Sequence, residues 1–279
     1  MASRTLPRRV MLSLLRILAL LALAYVGVVL LVTAFQRSLI YRPTRASSTE
    51  LADLAAGIQM QAWTNASGQR IGWYRPSPKQ PAAGAVLILH GNAGTAVGRE
   101  YLADPLQEAL PLDVFILEYP GYADRPGKPS QATILAAADE AVDLLKGHPR
   151  LFLVGESLGT GPIAYLGGRL GSRVAGVQFL VPYNRLSAVA STHYPWLPVR
   201  WLLRDPYPAQ DWLAAYSGPV GILIAENDQI IPAPLGRALY ESYSGPKELW
   251  QIPGADHEDV LRQPPEWWRE VGRLWGFNR

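Results

Sequence analysis

A serine lies at the centre of a Gly-x-Ser-x-Gly pentapeptide, Gly155-Glu156-Ser157-Leu158-Gly159. The apolar run 151–154 precedes it, and a helix-like apolar pattern over 160–166 follows. Strand, sharp turn and helix are the setting of a nucleophile elbow, which holds a serine on a strained turn. The pattern therefore predicts that Ser157 attacks an acyl carbonyl. A glycine-rich turn without chemistry is the alternative.

A serine nucleophile needs an imidazole as its base, and His257 is the best placed of the four histidines. It follows the strand-like run 248–252, within the loop Pro253-Gly254-Ala255-Asp256-His257-Glu258. A loop at the carboxyl end of a parallel strand delivers side chains to the edge of the sheet where an elbow lies. We therefore predict His257 as the base.

Asp228 is the candidate acid, because it follows the apolar run 220–225 and so also lies at the end of a strand. Asp256 and Glu226 are the rivals. Asp256 is adjacent to His257, but neighbouring side chains seldom point the same way, and Glu226 is expected to point away from the side of Asp228. The order Ser157, Asp228, His257 is that of the α/β-hydrolase triad.

An oxyanion hole needs two backbone N–H groups directed at the developing negative charge. Leu158, directly after the serine, is predicted to supply one. Asn92 is predicted to supply the other, with Ala93 as the alternative, from the loop His90-Gly91-Asn92-Ala93-Gly94. A phosphate-binding loop is disfavoured, since the chain has neither Gly-Lys-Ser/Thr after this loop nor Gly-x-Gly-x-x-Gly.

Continuous apolar runs alternate with helical patterns through most of the chain. The predicted strands are 86–89, 114–117, 151–154, 174–180 and 220–225, and the predicted helices include 98–110 and 130–146. Two alternating segments, 58–63 and 71–74, predict an antiparallel hairpin at a sheet edge. The fold class is therefore α/β, with a mostly parallel central sheet and helices on both faces.

The segment 182–212 departs from this pattern, since it holds five prolines and three tryptophans. Regular core elements rarely tolerate so many prolines, so the segment is interpreted as a cap or lid. The candidates for a substrate pocket are Tyr122, Tyr183, His193 and Trp196. Ordinary packing over the core is the alternative for this segment.

The N-terminus is interpreted as a membrane anchor. Residues 17–35 carry no charge and would form about 28 Å of helix, enough for a bilayer core of about 30 Å. The predicted organisation is a basic tail at 1–16, a transmembrane segment at 17–35, a stalk at 36–57 and the catalytic domain at 58–279. Cleavage as a signal peptide is the competing interpretation.

The distribution of charge sets the predicted orientation. Four of the 26 basic side chains lie in residues 1–16, where no acid occurs, which leaves 22 basic against 23 acidic groups. The positive-inside rule then predicts a single-pass protein of a bacterial-type inner membrane, with its N-terminus in the cytoplasm and its domain on the periplasmic side. A cytoplasmic domain is the alternative.

The same charges and the absence of cysteine narrow the chemistry. A near-neutral body without a basic stripe does not predict a nucleic-acid partner. Without cysteine there is no thiolate nucleophile and no thiolate metal site. No metal or cofactor is implied by the motifs.

Taken together, five motifs resemble the membrane-anchored, bud-emergence type of α/β-hydrolase, an ABHD-type serine hydrolase family. They occupy 90–94, 118–122, 155–159, 226–228 and 253–257. The resemblance implies that Ser157, Asp228 and His257 form the triad, and that the substrates are lipid esters or protein thioesters. The chain departs from the family at 120–125, where Pro-Gly-Tyr-Ala-Asp-Arg replaces the usual Arg-Gly-Tyr-Gly-x-Ser.

These features together predict a membrane-tethered serine hydrolase of carboxylic esters with apolar acyl chains. A thioesterase acting on acyl-protein or acyl-CoA, or a peptidase, is the alternative within enzymes. A catalytically silent, membrane-tethered binding domain is the alternative outside them. Haloalkane dehalogenation is disfavoured, because that chemistry needs Asp at the elbow.

Overall fold

The computed structural model describes residues 8–277 as ten helices, eight strands and three short 3₁₀ turns. The helices are α1 (Arg8–Ile40), α2 (Ser48–Gly57), α3 (Glu100–Ala109), α4 (Gln131–Leu144), α5 (Thr160–Leu170), α6 (Leu186–His193), α7 (Val199–Leu202), α8 (Ala209–Leu213), α9 (Ala233–Ser242) and α10 (Pro265–Leu274). The strands are β1 (Gln61–Thr64), β2 (Arg70–Arg75), β3 (Gly84–Leu89), β4 (Leu112–Leu117), β5 (Leu151–Glu156), β6 (Val174–Leu180), β7 (Val220–Ala225) and β8 (Lys247–Ile252).

All eight strands join one sheet in the order β1-β2-β4-β3-β5-β6-β7-β8. The β1–β2 and β2–β4 pairs are antiparallel, and every other pair is parallel. The predicted fold class is confirmed. The predicted hairpin also forms, with β1 at the edge of the sheet.

The continuous apolar strands are explained by burial on both faces of the sheet. In β3, Leu87 and Leu89 join one core cluster with α4 and α5, while Val86 and Ile88 join a second with α3 and α10. All four side chains are fully buried. A parallel sheet covered by helices on both sides requires this two-sided hydrophobicity, which is why these strands do not alternate.

The order in which successive strands join the sheet changes direction at β3. The strand that follows β3 pairs on one side of it, and β5 pairs on the other. The carboxyl ends of β3 and β5 therefore lie side by side where the connections diverge. Open α/β sheets bind their ligands at such switch points.

Helix α1 is long and apolar enough to cross a bilayer, with a mean hydropathy of 2.7 over its best window. Its 33 residues give a length of about 50 Å. Residues 8–16 of the predicted basic tail and all of 17–35 lie in this one helix, while residues 1–7 of that tail are outside the described part of the chain.

Residues 36–57 differ from the predicted stalk. The segment 36–40 is the last turn of α1, and 48–57 is α2, which begins with a capping box formed by Ser47 and Glu50. The Tyr41 ring, which lies between these two helices in the chain, is buried. The physical reason is long-range packing, because this segment contacts residues more than 160 positions later in the chain.

The predicted insertion 182–212 divides into two parts. We call residues 186–205 the cap segment; it contains α6 and α7 and packs beside α1. The rest differs from a lid, because Tyr207 and Ala209 are buried in the main core and α8 packs on α5.

Candidate active site

Ser157 lies on a sharp turn between β5 and α5. Its backbone φ is +50°, in the left-handed region that ordinary residues rarely adopt. A Cβ on Gly159 would lie 2.1 Å from the carbonyl oxygen of Leu89, and one on Gly155 would lie 2.8 Å from the carbonyl oxygen of Gly159. Both glycines are therefore needed for strand and helix to approach, and the crowded turn holds Ser157 in its strained conformation.

Asp228 and His257 are hydrogen-bonded at the carboxyl ends of β7 and β8. His257 Nδ1 lies 2.6 Å from Asp228 Oδ2, and both side chains are buried. The other carboxylate oxygen accepts from the amides of Ile230 at 2.8 Å and Ile231 at 2.7 Å. With the carboxylate fixed in this way, the proton belongs on Nδ1, which leaves Nε2 as the basic nitrogen.

The two rival acids lie elsewhere. Asp256 is exposed, and its Oδ1 accepts from the amides of His257 at 2.7 Å and Gln229 at 3.2 Å. These two hydrogen bonds hold the pKa of the Asp256 carboxyl below its ordinary value. Glu226 accepts from the amide of Gly254 at 2.9 Å. Both acids therefore shape the loops around His257 without contacting its imidazole.

The link between serine and histidine is open in this structure. Ser157 is buried, and within residues 8–277 its hydroxyl forms no hydrogen bond. In hydrolases without substrate this contact is often long and tightens when substrate binds. The structure brings His257 together with Asp228 and places Ser157 on the same edge of the sheet.

The loop 90–94 lies directly beside the elbow. A Cβ on Gly91 would be 3.5 Å from Ser157 Cβ and 2.5 Å from Glu156 Oε1, so any other residue there would have to displace the Glu156 carboxylate. Along the described chain, the amides of Asn92 and Ala93 donate to no other backbone group. Both candidate oxyanion donors in this loop are therefore still available to a substrate oxygen.

The side chain of Asn92 connects this loop to the end of α1. Its Nδ2 donates to the carbonyl oxygen of Ile40 at 2.5 Å, and its Oδ1 accepts from the amide of Arg42 at 3.0 Å. Tyr122 also donates its hydroxyl to this Oδ1 at 2.8 Å. The C-terminal end of α1 is thus bound to the candidate oxyanion loop.

Sequence reasoning missed a buried ion pair behind the elbow. Arg99 donates to both carboxylate oxygens of Glu156, at 2.9 and 3.2 Å, and to the carbonyl oxygen of Ala93 at 2.6 Å. Tyr101 donates to Glu156 at 2.9 Å. Burial alone would lower the pKa of Arg99, but the carboxylate beside it raises the pKa above its ordinary value. An acid at the end of an otherwise apolar strand was the available signal.

The side chain of His90 stabilises the loop 90–94 through buried polar contacts. Its ring is fully buried, with Nδ1 2.7 Å from the carbonyl oxygen of Gly91 and Nε2 3.2 Å from Glu118 Oε1. The same carboxylate accepts from the amide of Ala96 at 2.9 Å. His90 therefore holds the chain in place and does not face Ser157 as a base.

The four residues predicted to line a substrate pocket do not lie together: two are buried and two are exposed. Tyr122 and Tyr183 are fully buried, so neither faces an open cavity, and Tyr183 donates to the carbonyl oxygen of Leu158 at 3.2 Å. His193 is exposed at the end of α6, with Nε2 2.9 Å from the carbonyl oxygen of Ile230. Trp196 is also exposed, beside α1. The tyrosines are corrected to supports of the elbow and the loop, because burial excludes them from contact with a substrate.

This arrangement has the parts that acyl transfer needs. A serine on a strained turn, a buried imidazole oriented by a carboxylate, and free amides beside the serine lie at one edge of the sheet. No cofactor is required for such chemistry.

The comparisons with known proteins agree with this description. The family of the alpha/beta hydrolase fold matches residues 84–209. An uncharacterized protein of Mycobacterium tuberculosis is 34% identical over 250 residues, which cover 87% of this chain and 88% of that protein. Uncharacterized protein YfhR of Escherichia coli is 30% identical over 211 residues, covering 71% of this chain and 73% of its own.

Relatives with named activities and solved structures are also similar. Lysophosphatidylserine lipase ABHD12 of Danio rerio is 32% identical over 208 residues, covering 67% of this chain and 54% of the lipase. The structure of Est1E from Butyrivibrio proteoclasticus with ferulic acid has a TM-score of 0.64 at 16% identity, covering 76% of this chain and 98% of Est1E. The esterase Pf2001 of Pyrococcus furiosus also has a TM-score of 0.64 at 16% identity, covering 85% and 98%. The chain belongs to the α/β-hydrolase family.

Proposed function

We propose that the protein is a membrane-tethered serine hydrolase that cleaves carboxylic esters. The observation that carries the proposal is the buried Asp228–His257 hydrogen bond of 2.6 Å, on the sheet edge where Ser157 has a φ of +50°. A carboxylate that fixes the tautomer of a histidine, at the same edge of the sheet as a strained serine, is an arrangement suited to activating that serine.

In the proposed reaction, Ser157 Oγ attacks the ester carbonyl while His257 Nε2 takes the hydroxyl proton. The resulting oxyanion accepts hydrogen bonds from the amides of Leu158 and Asn92, with Ala93 as the alternative donor. Histidine then returns the proton to the leaving alcohol, and an acyl-serine remains. Water, deprotonated by the same nitrogen, hydrolyses the acyl-serine and restores the enzyme.

The ester substrate class is supported by two kinds of similarity. The family includes a relative named as a lysophosphatidylserine lipase, and structures with the same fold are named as esterases. Within the family, the motifs resemble the bud-emergence type. Thioesters of acyl-protein or acyl-CoA are the second candidate bond, because the same attack on an acyl carbon cleaves them.

The test is hydrolysis of matched ester and thioester pairs by the full-length protein in detergent. We expect the parent to release alcohol from the esters, and Ser157→Ala to lose essentially all turnover because no other hydroxyl takes its place. Faster release of thiol from the thioesters than of alcohol from the esters would show that the substrate bond is a thioester. Equal turnover by parent and Ser157→Ala would reject the mechanism, and no turnover by a folded parent would favour a silent binding domain.

A further inference from the structure

An apolar groove lies between the last turns of α1 and the cap segment. Five of its lining residues lie within 32–40 and six within 190–203. Leu39 and Ile40 form part of one wall, and Ala190 and Leu203 part of the other. The two walls lie at least 150 residues apart in the chain, so no local sequence pattern identifies this groove.

The polar side chains that α1 contributes to the groove are already hydrogen-bonded. Gln36 donates to the carbonyl oxygens of Thr33 at 2.9 Å and Leu202 at 3.1 Å, and it accepts from the amide of Arg204 at 2.7 Å. Thr33 donates to the carbonyl oxygen of Val29 at 2.7 Å. Because these groups are satisfied, this wall suits a hydrocarbon better than a polar ligand.

Each of the two walls of the groove is connected to a loop of the candidate active site. Ile40 accepts from the side chain of Asn92, which belongs to the loop beside Ser157. Helix α6, which carries Ala190, ends at His193, whose ring contacts Ile230. The amide of Ile230 in turn donates to Asp228. The groove is therefore linked to the candidate oxyanion loop through Ile40, one of its lining residues, and to the loop of the acid through helix α6.

The helix is fixed against the cap segment along several turns. Asp205, with a side chain only 2% exposed, accepts from Arg37 Nε at 2.9 Å and from the Tyr41 hydroxyl at 3.1 Å. About 18 Å further toward the N-terminus, Tyr25 donates to the carbonyl oxygen of Trp196 at 2.9 Å. The groove is therefore a built feature of the fold and not a gap beside a flexible tether.

We propose that this groove binds the acyl chain of a lipid ester that enters from the same bilayer, so that the anchor helix forms one wall of the substrate site. Between residues 17 and 31 the surface of α1 is uncharged, largely apolar and exposed, as a lipid-facing helix requires. Trp196 and Trp201 of the cap segment are 51% and 77% exposed, and large exposed apolar side chains of this kind favour contact with a membrane. A chain in the bilayer thus reaches the groove without crossing water. This inference rests on the proposed ester hydrolysis.

The first test compares ester chain lengths in the full-length protein. Ala190→Phe places a ring in the groove, and Thr192→Phe, on an exposed position of the same helix outside it, is the control. We expect Ala190→Phe to lower kcat/KM for C12 and C16 esters by about tenfold relative to C4 esters, with the control unchanged. An unchanged chain-length ratio in Ala190→Phe, with C4 turnover intact, would overturn the inference.

A second test does not depend on turnover. Full-length Ser157→Ala in vesicles is irradiated with a photoreactive C16 fatty acyl probe, and the labelled peptides are mapped. We expect labelling at 32–40 and 190–203, and its loss in Ala190→Phe. Labelling along 17–30 is expected from ordinary lipid contact in either case, so absence of labelling at 190–203, or labelling there that Ala190→Phe leaves unchanged, would contradict the groove. If labelling matches but no ester is hydrolysed, the proposed reaction fails while the acyl site stands.

Discussion

At the scale of single residues, the structure separates two acids that are similar in sequence. Asp256 is adjacent to His257 in the chain, yet its carboxylate binds backbone amides. Asp228, 29 residues away, contacts the imidazole. The reason is local geometry, because the turn that directs the ring of His257 inward leaves its neighbour at the surface.

This difference predicts the result of two matched substitutions. Asp228→Asn presents an amide N–H to His257 Nδ1 and disfavours the tautomer with a basic Nε2. We expect kcat to fall by about 10⁴-fold, the magnitude of the corresponding change in serine proteases. Asp256→Asn keeps a carbonyl oxygen for the two amides, so we expect kcat to stay within about threefold. Equal losses in ester hydrolysis would show that Asp228 is not the orienting acid.

At the scale of elements, the carboxyl ends of β3 and β5 are connected through buried side chains. Arg99 follows the loop after β3, and Glu156 is the last residue of β5. Because Arg99 also holds the carbonyl of Ala93, the elbow and the candidate oxyanion loop share one anchoring point. Their relative position is therefore set by an ion pair as well as by strand pairing.

Replacing only one member of the Arg99–Glu156 ion pair should lower the free energy of unfolding more than replacing both members. Arg99→Met leaves a buried carboxylate with only Tyr101 as its side-chain partner, and we expect a loss of about 3–5 kcal/mol in the free energy of unfolding. Adding Glu156→Gln removes the unpaired charge and should restore part of that loss. Unfolding of both single variants and the double variant in detergent measures the coupling. Additivity within about 0.5 kcal/mol would contradict it.

The sequence predicted most of these elements but not their contacts. Uninterrupted apolar runs identified the central strands, and the predicted helix 130–146 corresponds to α4, which Ser130 caps by accepting from the amide of Thr133 at 3.1 Å. Boundaries were less accurate: the predicted helix 98–110 begins at Glu100, after a 3₁₀ turn. Periodicity reports which face is buried, but it does not report partners distant in sequence, so the Arg99–Glu156 pair remained hidden.

At the scale of the whole molecule, helix α1 and the α/β-hydrolase fold are packed together. The prediction treated residues 36–57 as a stalk, whereas the side chains of Gln36, Arg37 and Tyr41 bind residues 202–207. Composition could not reveal this, because arginine and tyrosine also suit a lipid headgroup region. The part of the groove that α1 forms is a consequence of this packing.

The orientation of the molecule in the membrane is a separate prediction. Four arginines before the apolar segment, with no acid, should retain the N-terminus in the cytoplasm. Alkaline phosphatase fused after Arg279 should be active, and a green fluorescent protein fused there should be dark. Arg4, Arg8 and Arg9 changed together to Gln should weaken this preference. Fluorescence of the parent fusion would instead place the domain in the cytoplasm.

The most direct test of the central claim is covalent labelling of the full-length protein by a fluorophosphonate probe. An activated serine attacks the phosphorus of such a probe, so we expect the parent to be labelled at Ser157. Ser157→Ala and His257→Ala should both lose the label while keeping the thermal stability of the parent within a few degrees. Labelling that persists in Ser157→Ala would place the nucleophile elsewhere and contradict the account.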